Sequence, residues 1–387
     1  MKRNHLKFFA FVFLALLSGC GGGNGSGGTG RVKVSLTDAV ACGFDEVNVT
    51  VSQVRIHQSA SASEQMSGWH DIDISPPRKI NLAALTNGVL EELGMAVLPA
   101  GHYTQLRLVL LPNSPGGAMN NSVTPTGGVE TEMKTPSAVQ SGLKLIHEFD
   151  VAANELVDLV LDFDACKSVV QKGNGSYGLK PVISVIPTVV SGAISGHVNS
   201  ALTNAVIYAE QGGRVVKSTV PDPDGKFVLS PLQQSSTAGN YDVVVTADNA
   251  STAMIQSVPV TAQGNTSLSS QTEPIALTSS GVQTVSGSVT PAGAEAAVRA
   301  TQTFSSGAVM EVGSISVSGS YLLTLPIGAP SLGSYGDGAL PITLTADGAI
   351  AGKYQIEVSA EGFAVQTGPV IDITSGPVTD QDFNLSP

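Results

Sequence analysis

The chain has 387 residues, among them 43 glycines, 21 prolines and one tryptophan, and only 13% are Asp, Glu, Lys or Arg, about half of the roughly 25% usual in soluble domains. With 42% hydrophobic residues, no strict glycine period and few charged helix formers, it is neither collagen, nor a coiled coil, nor an acidic disordered tail. The formal net charge of -12 disfavours nucleic acid as a partner, because nucleic acid is bound through Lys and Arg patches.

The amino terminus places Lys2, Arg3 and Lys7 before an apolar run from Phe8 to Leu17. That is the layout of an export signal, and the run falls short of the roughly 20 residues a spanning helix needs. Leu17-Ser18-Gly19-Cys20 resembles the bacterial lipoprotein processing site, which implies removal of residues 1–19 and lipidation of Cys20. Gly21 after the cysteine implies the outer membrane of a Gram-negative bacterium. Residues 20–30 are glycine-rich and read as a flexible tether. With Cys20 taken by lipid, Cys42 and Cys166 remain as a disulfide pair in an oxidising compartment, or as a two-cysteine metal site.

Folded sequence is expected from Arg31. Val32, Val34 and Leu36 alternate with polar residues as a half-buried strand does. Val47, Val49 and Val51 share one face but Val54 and Ile56 the other, so a β-bulge is expected near Ser52-Gln53. Leu82, Leu85, Val89 and Leu93 recur at helical spacing, weakened by Asn87-Gly88. Thr104, Leu106, Leu108 and Leu110 form another strand opposite Tyr103, Gln105 and Arg107. Residues 112–137 read as a long surface excursion, and Leu159, Leu161 and Phe163 as a further strand. After Pro187 the composition turns to Val, Thr, Ser, Ala and Gly. Ser195-Gly196-His197-Val198 is echoed by Ser286-Gly287-Ser288-Val289, and Gly239-Asn240-Tyr241 by Gly352-Lys353-Tyr354. The second copy is longer, with its insertion expected at 326–349.

The expected fold is therefore all-β, an N-terminal β-sandwich-like domain (31–187) followed by two tandem β-sandwich modules (191–277 and 281–387). SLTDA at 35–39, Gly68-Trp69, AGHYTQLRLVL at 100–110, TPSAVQSGLKL at 135–145, LDFDACKSVV at 161–170 and GLKPVISVIP at 178–187 resemble a bacterial lipoprotein domain family of unknown function. That resemblance implies an all-β domain, supports the Cys42–Cys166 pairing and brings no activity. Residues 191–277, with Asp222-Pro223-Asp224-Gly225-Lys226-Phe227, look like the transthyretin-like, carboxypeptidase-regulatory-like sandwich. Residues 281–387 are similar but have Ser318-Gly319-Ser320-Tyr321 at that turn. The likeness implies a non-catalytic scaffold.

Few constellations point to chemistry. Ser141-Gly142-Leu143-Lys144 has the S-x-x-K spacing of a serine activated by a lysine one turn on, but Gly142 and the absent companion motifs argue against it. Asp158, Asp162 and Asp164 fall on one face of a strand, where they either ligate Ca²⁺ or form a solvated outer face. Asp222-x-Asp224-Gly225 reads as an Asp-Gly turn rather than a calcium loop. His57, His70, His102, His147 and His197 lack zinc-ligand spacing and read as surface or edge residues. Trp69 with Tyr103 offers an aromatic platform for sugar, against the alternative of a core tryptophan. No catalytic residue and no cofactor is expected. The leading reading is a lipid-anchored cell-envelope protein with a binding or structural role toward protein or polysaccharide. The other reading is a Ca-dependent carbohydrate binder or periplasmic enzyme using residues 31–187.

Overall fold

Val32, Val34 and Leu36 are fully buried on one face of the first strand, β1 (Thr29–Asp38), as their alternation requires. The structure, a computed structural model, describes residues 28–39, 43–336 and 338–387. The first lobe continues with β2 (Phe44–His57), β3 (His70–Asn81), β4 (Glu91–Pro99), β5 (Gly101–Leu110), β6 (Ser122–Pro125), β7 (Thr131–Lys134), the short helix α1 (Pro136–Gln140), β8 (Leu143–Val151), β9 (Leu156–Phe163), α2 (Ala165–Ser168), β10 (Val169–Gln171), β11 (Tyr177–Leu179) and β12 (Ile183–Pro187). One sheet runs β12-β9-β1-β4 and the other carries β6-β2-β5-β8 with β3 on β2. Between them lies one apolar core that includes Val34, Val49, Leu108, Leu161 and Phe163.

The pairing of β2 with both β3 and β5 shifts register between Val51 and Gln53, which is the bulge the phase slip implies. Two local expectations are corrected. The helix over 82–93 is a single 3-10 turn at Leu82–Ala84. Asn87 and Gly88 both take positive φ, the chain turns there, and Leu93 is buried from strand β4 instead. The 112–137 excursion contains the β6–β7 hairpin, which extends the sheet from β2. Its entry is held by the fully buried Asn121, whose Nδ2 donates to the Leu111 carbonyl at 2.6 Å.

The second lobe has β13 (Ser191–His197), β14 (Val206–Gln211), β15 (Arg214–Thr219), β16 (Lys226–Gln233), β17 (Tyr241–Thr246), β18 (Ala253–Val258) and β19 (Asn265–Ser267). The third has β20 (Val282–Thr290), β21 (Ala296–Thr303), β22 (Val309–Val317), β23 (Ser320–Pro326), β24 (Ser331–Ser334), β25 (Thr345–Ala346), β26 (Lys353–Ser359), β27 (Gln366–Asp372) and β28 (Phe383–Asn384). Both share one topology: a three-stranded sheet, β16-β13-β19 or β23-β20-β28, opposite a sheet ordered β15-β14-β17-β18 or β22-β21-β26-β27. The repeated Ser-Gly pair has a steric cause. A Cβ on Gly287 would lie 2.0 Å from the Gln381 carbonyl oxygen, and one on Gly196 2.7 Å from Ser269 Oγ and 2.8 Å from the Phe227 ring. The repeated tyrosines also match: Tyr241 donates to the Gln233 carbonyl and Tyr354 to that of Pro326, each at the end of the preceding sheet's strand.

The insertion in the third lobe does not stay there. Its strand β24 pairs in parallel with β18 of the second lobe, Ala253 opposite Ser331 through Gln256 opposite Ser334. Ile342 and Leu344 pack on the second core. The sheet of β14, β17 and β18 is thus covered on both faces: Val243 and Val245 belong to the second core, Val244 and Met254 to the third. An unbroken valine run is what a doubly buried strand calls for.

Candidate functional site

Most of the buried charged residues, Asp38, Asp162, Lys217, Glu210 and Glu311, lie where the lobes meet; Arg107 is buried within the first lobe. At the first seam Lys217, 3% exposed on β15, projects from the second lobe onto the Asp162 carboxylate of β9, itself 8% exposed. The same Nζ donates to the Asp38 carbonyl at 3.3 Å. Asp38 is buried at the end of β1. One of its carboxylate oxygens accepts from the Ala165 N–H at 2.9 Å and the other has no partner among the described residues. Burial, reinforced by Asp164 and Asp162, pushes the Asp38 carboxyl well above its ordinary range despite Lys217 and the Ala165 bond. Nearby, Lys167 Nζ donates to the Val215 carbonyl at 2.9 Å. Asn87 donates its N–H to Thr219 Oγ1 at 2.8 Å and accepts from the Val228 N–H at 2.6 Å.

At the second seam Arg299 of β21 donates to Glu357 through Nε at 2.8 Å, to Glu311 through NH1 at 3.0 Å and to the Gly213 carbonyl of the second lobe at 2.7 Å. Arg214 adds a bond to Glu357 at 2.9 Å. The fully buried Glu210 takes the Glu311 N–H on both carboxylate oxygens, and burial pushes its carboxyl well up. The first and third lobes meet where Gln171 of β10 pairs with Val317 of β22. Cavities lie in these seams. One, of about 370 Å³, is lined by His147, Asp162, Ile186, Val216 and Tyr241; another, of about 210 Å³, by Cys166, Lys167, Arg214, Arg299 and Glu311. What this arrangement does chemically is neutralise buried charge across lobe boundaries.

The sequence candidates fall mostly outside any shared site. Cys20 and Cys42 lie outside the described residues; Cys166 sits in α2 and is not a free thiol. The three aspartates are not gathered. Asp158 pairs with Lys33 at 2.5 Å, Asp162 with Lys217, and Asp164 caps α2 and pairs with Lys167 at 2.9 Å. Among the described residues no cluster of three His, Cys, Asp or Glu suits a metal ion. The face is not a solvated one either: β9 lies between the parallel β1 and the antiparallel β12, and the second lobe buries Asp162.

Trp69 and Tyr103 form no common platform. Tyr103 is fully buried, stacked on Phe149 with centroids 5.6 Å apart, its hydroxyl donating to the Pro99 carbonyl at 2.9 Å. Trp69 is half-buried and closes the loop 58–69 over β2 and β5. The Arg55 and Arg107 guanidinium carbons lie 4.8 and 5.0 Å from its ring centroid, and the His57 ring packs against it tilted by 53°, with centroids 4.9 Å apart. The two arginines are direct cross-strand neighbours, a repulsive pairing that the indole face and Asp71 offset. His57 is accordingly buried, not a surface residue. Ser141 ends α1, Gly142 turns at positive φ, and Lys144 lies exposed on β8 opposite Arg107. Asp222 accepts from the N–H groups of Asp224 and Lys226, closing the Gly225 turn.

Fold and seams define an all-β multi-lobed protein. Within it, residues 29–181 match DUF4382, a domain of unknown function. No curated protein matches the chain. Among solved structures, a chain of a type II cohesin-X-dockerin complex from Acetivibrio cellulolyticus is 28% identical over 23% of this chain, with a TM-score of 0.19. This chain spans 58% of that one. A streptococcal ancillary pilin is 9% identical over 92% of this chain and 99% of its own, with a TM-score of 0.15. Overlaps this poor carry no argument about fold or role. Among the described residues no helix is long and apolar enough to cross a membrane.

Proposed function

We propose that the chain is an exported, lipid-anchored cell-envelope protein with a non-catalytic structural or binding role at the outer membrane of a Gram-negative bacterium. In this reading residues 1–19 are removed, Cys20 carries the lipid, residues 20–30 are the tether, and Cys42 and Cys166 form a disulfide. A β domain over 31–187 and sandwich modules over 191–277 and 281–387 make up the body that meets an envelope protein or polysaccharide. The observation that carries the scaffold role is the commitment of most of the buried charges to the lobe boundaries. Lys217 and Asp162 hold the first seam, and the bonds of Arg299 to the Gly213 carbonyl and of Arg214 to Glu357 hold the second, an arrangement suited to keeping lobes fixed. Of the residues that would serve calcium or sugar, Asp162 is engaged at the first seam, Asp158 and Asp164 pair with Lys33 and Lys167, and Tyr103 and Trp69 pack within the first lobe.

The anchor has a direct test in cell fractionation. Wild-type protein is expected in the outer-membrane fraction and Cys20→Ala in the soluble or unprocessed pool. Cys20→Ala protein that is processed normally and still sediments with the outer membrane would contradict the lipid anchor.

A further inference from the structure

We infer that Lys217 and Asp162 are the partners of an intramolecular amide bond that joins the first lobe covalently to the second. The two side chains come from strands of different lobes, 55 residues apart in sequence, and meet in direct contact. Both are more than nine-tenths buried. A buried ion pair carries a large desolvation cost for each charge. Conversion to a neutral amide removes both charges while keeping the contact, and exclusion of bulk water protects the product from hydrolysis. Asp38 stands beside the pair with its carbonyl on Lys217 Nζ and a carboxylate oxygen that has no partner among the described residues.

The step balances without any co-reactant. The Lys217 ammonium passes a proton to the Asp162 carboxylate, leaving an amine and a carboxylic acid. The nitrogen lone pair adds to Asp162 Cγ, and one oxygen of that carboxyl leaves as water once it has taken the proton lost by nitrogen. The carboxyl of Asp38, kept in its acid form by burial and the neighbouring carboxylates, relays that proton. Asp162 also borders the 370 Å³ cavity, into which the water departs.

Peptide mapping of the purified full-length protein, reduced and digested with trypsin, tests this. The expected main species is 145–167 joined through Asp162 to 215–226, uncut at Lys217 and lighter than the two peptides by one water. Recovery of free 145–167 and of 218–226 as the main species would overturn the proposal. Lys217→Arg is expected to abolish the joined species completely, and its persistence in that variant would equally overturn the assignment. Asp38→Asn is expected to lower the joined fraction, and an unchanged fraction would remove Asp38 from the relay.

Discussion

Replacing Arg299 by methionine tests the second seam most sharply. The guanidinium is 12% exposed and bonds Glu311, Glu357 and the Gly213 carbonyl. Glu357 retains Arg214, but Glu311, 4% exposed, loses its ion-pair partner. Breaking a buried pair from one side leaves an uncompensated charge and costs about 3–5 kcal/mol. At about 2.1 cal/mol/K of unfolding entropy per residue, a cooperative body of about 360 residues shifts by about 1.3 °C per kcal/mol, so the melting temperature falls by roughly 4–7 °C. Arg299→Met with Glu311→Gln removes the orphaned charge and is expected to recover much of the loss. Thermal melts followed by circular dichroism read both. A single variant that melts with the wild type, or a double variant no better than the single, would refute the assignment of Arg299 as the neutralising group.

Other positions follow from the same contacts. Asn87→Ala is expected to cost about 1–3 kcal/mol in urea unfolding, chiefly the unsatisfied Val228 N–H, with a smaller part from losing the side chain that lets Asn adopt positive φ more readily than alanine; Asn87→Gly relieves the second part and should lose less. Glu210 has its carboxyl raised by burial, so the folded state holds a proton that the unfolded chain releases. Stability is then highest below the ordinary carboxylate range and falls as pH rises from there toward the folded value. Glu210→Gln is expected to flatten that decline in melts taken across pH, and an unchanged slope would exclude Glu210 as its source. Gly287→Ala, whose Cβ meets backbone, should destabilise more than Gly196→Ala, whose nearest contacts are side chains, with a cost at or above the usual 1–3 kcal/mol of overpacking.

Much of the architecture is legible in the sequence because each strand solves a local problem. The phase slip at Ser52-Gln53 needs only the two-residue period of a strand to be read as a bulge. The repeated Ser-Gly and Gly-x-Tyr landmarks mark equivalent strands because the same close approach and the same tyrosine bond recur in both lobes. The helical spacing from Leu82 misleads for a physical reason. Leu82 and Leu85 are buried on a single turn and Leu93 on a strand, so their periodicity belongs to two elements divided by Asn87-Gly88.

The seam is harder to read. Asp162 shows a period-two pattern with Asp158 and Asp164, and nothing within β9 tells that a lysine 55 residues on will cover one of the three. Lys217, Glu210 and Arg299 did leave a signal. Each is a charge inside an apolar strand, in a region with few charges, and such a residue needs a partner from elsewhere in the fold. The partner's identity is set by tertiary packing and lies beyond periodicity.

Scanning calorimetry of the whole folded body measures the central claim, that the seams fix three β lobes into one rigid unit. A single cooperative transition with matching calorimetric and van't Hoff enthalpies is expected. Three independent transitions, each unaffected by Arg299→Met, would contradict it.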